Sequence, residues 1–160
     1  MAVLPILIWP DARLSAVCAP VTGDVQGLAA DMLDTMYAAP GRGLAAPQLG
    51  ALVRLFVMDV TWKDGVPAPQ VFINPHIIWR SDVVVNGPEG CLSLPGLITT
   101  IARSSHLRLT WFDLAGASHS RDFDGFAAIC IQHECDHLDG ILTLNHLTAA
   151  DRAAAEKALQ

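Results

Sequence analysis

An α+β fold is the class the sequence predicts, and three observations predict it. One amphipathic helical pattern stands near the start. Short β-branched and apolar runs, broken by turn residues, fill the middle. Two further helical patterns close the chain, so strands and helices are segregated rather than alternating. At 160 residues the chain is expected to form a single domain, residues 1–160, with a sizeable core.

Residues 3–20 read as an extended arm, interrupted by Pro10-Asp11 and Pro20. A helix is expected from Asp24 to Ala39, with Val25, Leu28, Met32 and Met36 at helical spacing and Asp31 and Asp34 off that stripe. Gly41-Arg42-Gly43-Leu44-Ala45-Ala46-Pro47-Gln48 then predicts a tight loop whose backbone can approach a partner closely, ending in an amide able to donate hydrogen bonds. Read alone, it is also an ordinary helix-to-strand connection.

Val53–Val60 reads as a strand, Lys63-Asp64-Gly65 as a turn, and Gln70–Ile73 and Ile77–Trp79 as short strands flanking Asn74-Pro75. Val83–Val85 is another strand segment, followed by a turn-prone stretch, Glu89-Gly90-Cys91-Leu92-Ser93. Residues 98–102, 107–112 and 117–122 read as a meander, with a hairpin connection at Asp113-Leu114-Ala115-Gly116. After the next helix, Ile141–Leu147 is expected to be extended. A last helix should begin near Thr148, where Asp151 resembles a capping pair.

The chemistry concentrates in Ile129–Gly140. His133 and His137 are four residues apart, so on a helix both imidazoles leave one face and can close on one metal ion. Glu134 lies between them, placed as a general base for water. Asp124 can cap this helix, Gly140 can end it, and Phe126, Ile129, Cys130, His133 and His137 share its spacing. H-E-x-x-H is short, and alone it also fits a plain surface helix. Cys91 is either a small buried hydrophobe or, as a thiolate, the third ligand of a Cys-His-His set with one open position, the pattern of catalytic metals. Cys130 is placed to line the same pocket. Cys135, about 200° around the axis from His133, is a packing residue. His76, His106, His119 and His146 lack helpful spacing and read as surface or core histidines.

A formal charge of −6 argues against a nucleic-acid partner. Four cysteines without framework spacing, and no signal peptide, predict reduced thiols in a cytoplasm. Met1–Trp9 is too short, and too broken by Pro5, to span a membrane.

Three separated motifs then agree. G-x-G-L-A-A-P-Q stands at 41–48, E-G-C-L-S at 89–93 and Q-H-E-x-D-H-L-x-G at 132–140, and in this order and spacing the chain resembles the bacterial peptide deformylases. The resemblance extends to residues 8–14, 31–37, 73–75 and 129–131. It implies antiparallel sheets packed around a central metal-binding helix, and removal of the formyl group from the N-terminal formyl-methionine of new polypeptides. It implies one divalent ion held by Cys91, His133 and His137, natively Fe(II), with Zn, Ni or Co able to replace it. It implies Glu134 as the general base, Gln48 and the N–H of Leu92 as oxyanion donors, and Arg103 bracing Glu89. Gly43, Leu44, Glu89, Gly90, Arg103, Ile129 and Cys130 would serve substrate binding, with the peptide extended near Gly43 and methionine packed by Ile129 and Cys130.

Three departures stand out. Arg42 occupies the usual aliphatic place between the two glycines. Leu142-Thr143-Leu144-Asn145 replaces the usual Leu-Phe-x-Asp. The C-terminal helix is short and without the basic character by which family members can approach the ribosome, so at most a transient ribosome contact is expected of a monomer. Two alternatives remain: a general HExxH metallopeptidase, and a deformylase-like peptide-binding paralogue with weak or no activity.

Overall fold

The computed structural model describes residues 2–160. In chain order it contains α1 (Gln26–Ala38), β1 (Gly43–Ala45), β2 (Leu55–Met58), β3 (Gln70–Arg80), β4 (Val84–Cys91), β5 (Leu94–Ser104), β6 (His106–Phe112), β7 (Ser118–Asp124), α2 (Gly125–Leu138) and α3 (Ala149–Leu159). Short 3-10 turns fall at Ala12–Ser15, Ala46–Leu49, Trp62–Asp64 and Thr143–His146. The strands form a five-stranded antiparallel sheet, β1-β2-β3-β6-β7, and a separate two-stranded sheet, β4-β5. This is an α+β architecture.

Strand alternation explains how the large sheet is covered on both faces. All four residues of β2 are buried. Leu55 and Val57 pack in a cluster with Met32 and Met36 of α1, while Phe56 and Met58 pack with Ile131 and Leu138 of α2. Phe56 stacks on Phe72 at 4.5 Å between ring centroids, a contact that contributes about 1 kcal/mol beyond area burial. Cross-strand partners share a face, so β1 inherits the same division. Leu44 opposite Val57 turns toward α1, and Gly43 opposite Met58 turns toward α2. A third cluster of Leu14, Leu94, Leu142, Leu144 and Ala155 joins the arm, β5 and α3.

Several expectations are corrected. The stretch 41–48 is not one loop: Gly43–Ala45 is an edge strand and Ala46–Leu49 a 3-10 turn. The two short strands around Asn74-Pro75 are one strand, because the pair sits at a register irregularity where proline's missing N–H breaks no ladder. Asn74 adopts φ +48°, and its side chain accepts from Val21 N (2.8 Å) and donates to Val21 O (3.1 Å). The segment at Val83–Val85 runs on to Cys91, so Cys91 ends a strand rather than standing in a turn. Only the 107–122 part of the meander exists as such; β5 leaves it to pair with β4. Ile141–Leu147 contains a 3-10 turn, and Asp124 caps α2 without a side-chain hydrogen bond. Phe126, at the start of α2, is half exposed. As expected, Thr148 caps α3, accepting from Asp151 N. Among the described residues no helix is long and apolar enough to cross a membrane.

Candidate active site

Two stretches far apart in sequence converge beside α2. β1 carries Gly43, the turn behind it carries Gln48, and the end of β4 carries Glu89, Gly90 and Cys91. Together with Ile129, Cys130, His133 and Glu134 they line a cleft of about 510 Å³, the size of a small-ligand site. Leu92, Leu94, Leu97 and Ile98 give its far wall an apolar character.

At its floor, Cys91 Sγ lies 3.4 Å from His137 Nε2. One ligand atom from each of Cys91, His133 and His137 lies within 4.8 Å of the others. The two rings are 5.1 Å apart at 65°, as the i, i+4 spacing demands. A thiol and two imidazoles closing on one point fit a divalent transition ion, and not an all-oxygen ion such as Mg²⁺ or Ca²⁺. Burial, helped by His133 and Arg103, pushes His137 well below the ordinary histidine range, so it is held in the neutral form a ligand requires. Burial works against charge on His133 as well, but Cys91 and Glu89 overcome it and raise that histidine.

Behind the histidines runs a chain of charge-assisted contacts. His133 Nδ1 meets Glu89 Oε1 at 2.9 Å. Arg103 grips both oxygens of Glu89, through Nε (2.8 Å) and Nη2 (2.9 Å), and reaches Asp136 Oδ2 through Nη1 at 2.6 Å. His146 Nε2 lies 2.8 Å from the same Asp136 oxygen. Burial pushes Glu89 up, but Arg103 and then His133 outweigh it and bring the carboxyl down to about 2. Arg103 thus stands against Glu89 as the resemblance implied, and it sits behind the cleft, not in it.

Glu134 is the exception to this pairing. It is buried, its Oε1 has no hydrogen-bond partner, and Cys130 Sγ lies 4.0 Å from Oε2. Burial raises its carboxyl to about 7; nearby His133 opposes the shift and Glu89 adds to it. A carboxyl poised near neutrality can both accept and return a proton. Gln48 is also buried. Its Oε1 accepts from Ala45 N (3.0 Å), leaving Nε2 directed at Ser93 Oγ (3.1 Å) and Cys91 Sγ (3.8 Å).

The side chain of one expected residue falls elsewhere, and Cys135 packs as expected. Leu44 is fully buried in the α1 cluster, because it follows Gly43 on a strand and so points to the opposite face. Cys135 is buried as packing, its thiol pushed up to about 12 by burial. Sequence reading missed Asp136, Ser93 and His146. Asp136 falls inside the helix motif, but nothing in the sequence says that it meets Arg103. His146 read as an uninvolved histidine, and only the fold brings it to Asp136.

A family model described as polypeptide deformylase matches residues 3–153. A peptide deformylase of Afipia carboxidovorans is 44% identical, covering 95% of this chain and 91% of that one. One of Alkalilimnicola ehrlichii is 42% identical, covering 100% of this chain and 90% of the relative. Among solved structures, a peptide deformylase from Legionella pneumophila superposes with a TM-score of 0.93 at 37% identity, covering 99% of this chain and 94% of that one. The Ehrlichia chaffeensis peptide deformylase in complex with actinonin gives 0.91 at 37% identity, covering 99% and 96%.

Proposed function

The chain belongs to the polypeptide deformylase family, and from that premise we propose that it is a metal-dependent amide hydrolase. It releases formate from the N-terminal formyl-methionine of peptides. The observation that carries the assignment of roles is the convergence of Cys91, His133 and His137 beside the buried carboxyl of Glu134, whose Oε1 has no hydrogen-bond partner. A divalent ion held by those three side chains supplies Lewis acidity, lowering the pKa of water and polarising the formyl oxygen. We assign Fe(II) as the native ion, with Zn, Ni or Co able to stand in; a thiolate and two imidazoles accept all four.

The chain's own residues do the rest. Glu134 takes a proton from the attacking water as oxygen adds to the formyl carbon. Gln48 Nε2 and the N–H of Leu92 meet the developing oxyanion, each such donor contributing on the order of 10²–10³ in rate. As the C–N bond breaks, Glu134 returns the proton to the leaving amine, and formate departs. The outer edge of β1 is unpaired in the sheet, so an extended peptide can add along Gly43. The methionine side chain packs against Ile129 and Cys130, with Gly90 beside them. Glu89 and Arg103 fix the orientation of His133.

The third ligand is a cysteine upstream of the helix, unlike the downstream His or Glu of general HExxH peptidases. Glu134 and Gln48 are in place, unlike in a binding paralogue that has lost its chemistry. We take residues 1–160 to act as one domain and as a monomer.

The test is deformylation of formyl-Met-Ala-Ser by anaerobically purified, Fe(II)- or Ni(II)-loaded protein, beside Cys91→Ala. Turnover is expected in the first alone. Hydrolysis of the unformylated peptide would transfer the chain to the peptidases, and no turnover at stoichiometric metal would make it a binding paralogue.

A further inference from the structure

We propose that Arg42 makes the cleft mouth select peptides with an acidic side chain one or two residues after the formyl-methionine. This rests on the deformylase reading above. The cleft is lined by two carboxylates, Glu89 and Glu134, both at its floor and nearly buried, at 8% and 4% exposure. Glu89 is already matched by Arg103. The rim carries the opposite sign, with Arg42 and Lys63 both lining the opening. On a chain of net charge −6 that is a local reversal.

Arg42 has no ion-pair partner among the described residues. Its guanidinium lies over the half-exposed ring of Phe126, 5.1 Å from the centroid, and its Nε is buried without a hydrogen-bond partner. The nearby acid is spoken for: Asp59 accepts from Tyr37 Oη (2.6 Å), Ala68 N (3.0 Å) and Trp62 N (3.1 Å). The rim is anchored, since Arg42 O accepts from Asp59 N (2.9 Å) and Gly41 O from Trp62 Nε1 (2.9 Å). Lys63 stands beside exposed Asp64, so the preference depends mainly on Arg42.

A peptide lying along β1 advances about 3.3 Å per residue, so one or two residues past the methionine bring a side chain from the floor to this rim. There a carboxylate can meet a planar, unpaired donor already oriented by an aromatic face. Neutral side chains gain nothing equivalent, and a lysine meets two like charges.

The experiment compares kcat/KM for formyl-Met-Ala-Glu-amide, formyl-Met-Ala-Gln-amide and formyl-Met-Ala-Lys-amide, in which the glutamate side chain is the only carboxylate. The metal-loaded protein should favour Glu over Gln by about threefold to tenfold at low salt, with Lys last, and the margin should shrink in 0.5 M salt. Arg42→Leu should bring the ratio to about one and Arg42→Glu should invert it, whereas a merely structural Arg42 would lower all three alike. Calorimetry with the N-acetyl versions reads the same ratio as affinity. It decides the inference independently of hydrolysis, so failure of the deformylase reading is seen separately. Equal values for Glu and Gln, or a ratio unchanged in Arg42→Leu, overturn the proposal.

Discussion

A Cβ built on Gly43 would lie 2.5 Å from Oε2 of Glu134 and 2.8 Å from Sγ of Cys130. Glycine is needed at 43 because the strand passes directly over the carboxyl assigned to proton transfer, and the clash is with buried side chains. Gly43→Ala is therefore expected to displace Glu134. It should lower kcat/KM by roughly 100-fold, at a stability cost of about 1–3 kcal/mol. Steady-state kinetics beside chemical denaturation check it. Wild-type activity in the alanine variant would mean that Glu134 tolerates the displacement and the contact is not functional.

Arg103→Leu leaves Glu89 and Asp136 without their shared guanidinium, and Glu89 is nearly buried. Breaking a buried pair from one side costs about 3–5 kcal/mol. Arg103→Lys restores charge but not the two-pronged grip on Glu89, so it should recover only part of the loss. Urea midpoints of the three proteins give the order wild type, Lys, Leu. Equal midpoints for wild type and Leu would show that the network adds no stability.

The legible part of this molecule was local. The i, i+4 histidines, the Met32 and Met36 stripe, the turn at 113–116 and the cap at Thr148 follow from spacing or from a short side-chain contact. The illegible part was pairing. Residues 98–102 have the same β character whether they join β6 or β4; they join β4 because the tight turn at Leu92-Ser93 folds β5 back on it as a hairpin. The strand at Gly43–Ala45 could not be read from two glycines and small residues, because its partner β2 creates it. For the same reason Leu44 read as a cleft residue, although its register sends it into the α1 cluster. Arg103 was placed against Glu89 only through the family resemblance, since the thirteen residues of chain between them carry no pairing signal of their own.

The acidity of Glu134 predicts a pH-dependent stability difference in protein stripped of metal. Its carboxyl is raised from 4.5 to about 7, mainly by burial, so the folded state binds the proton more tightly than the unfolded state. Relative to a neutral side chain, Glu134 costs nothing below pH 4.5. The cost grows as pH rises toward 7 and is constant above it, reaching at most about 3 kcal/mol. Glu134→Gln should therefore raise Tm by several degrees at pH 8 and hardly at all at pH 4.5. Thermal melts of both proteins across that range test the sign, and a larger gain at acid pH would contradict it.

The four thiols should react in an order set by their surroundings. Cys18, Cys130 and Cys135 are buried, while Cys91 is partly exposed at the cleft floor. Burial raises Cys18, Cys130 and Cys135 above the ordinary thiol range, so little thiolate is present on any of them at neutral pH. In metal-free native protein, iodoacetamide is expected to modify Cys91 first. One equivalent of Ni(II) should suppress that modification, since the thiolate lone pairs then hold the ion rather than attack carbon. Peptide mapping by mass spectrometry after timed alkylation reads both effects without any assay of activity. Labelling of Cys91 that proceeds equally fast with and without Ni(II) would remove it from the ligand set, leaving His133 and His137 to hold an ion with no thiolate.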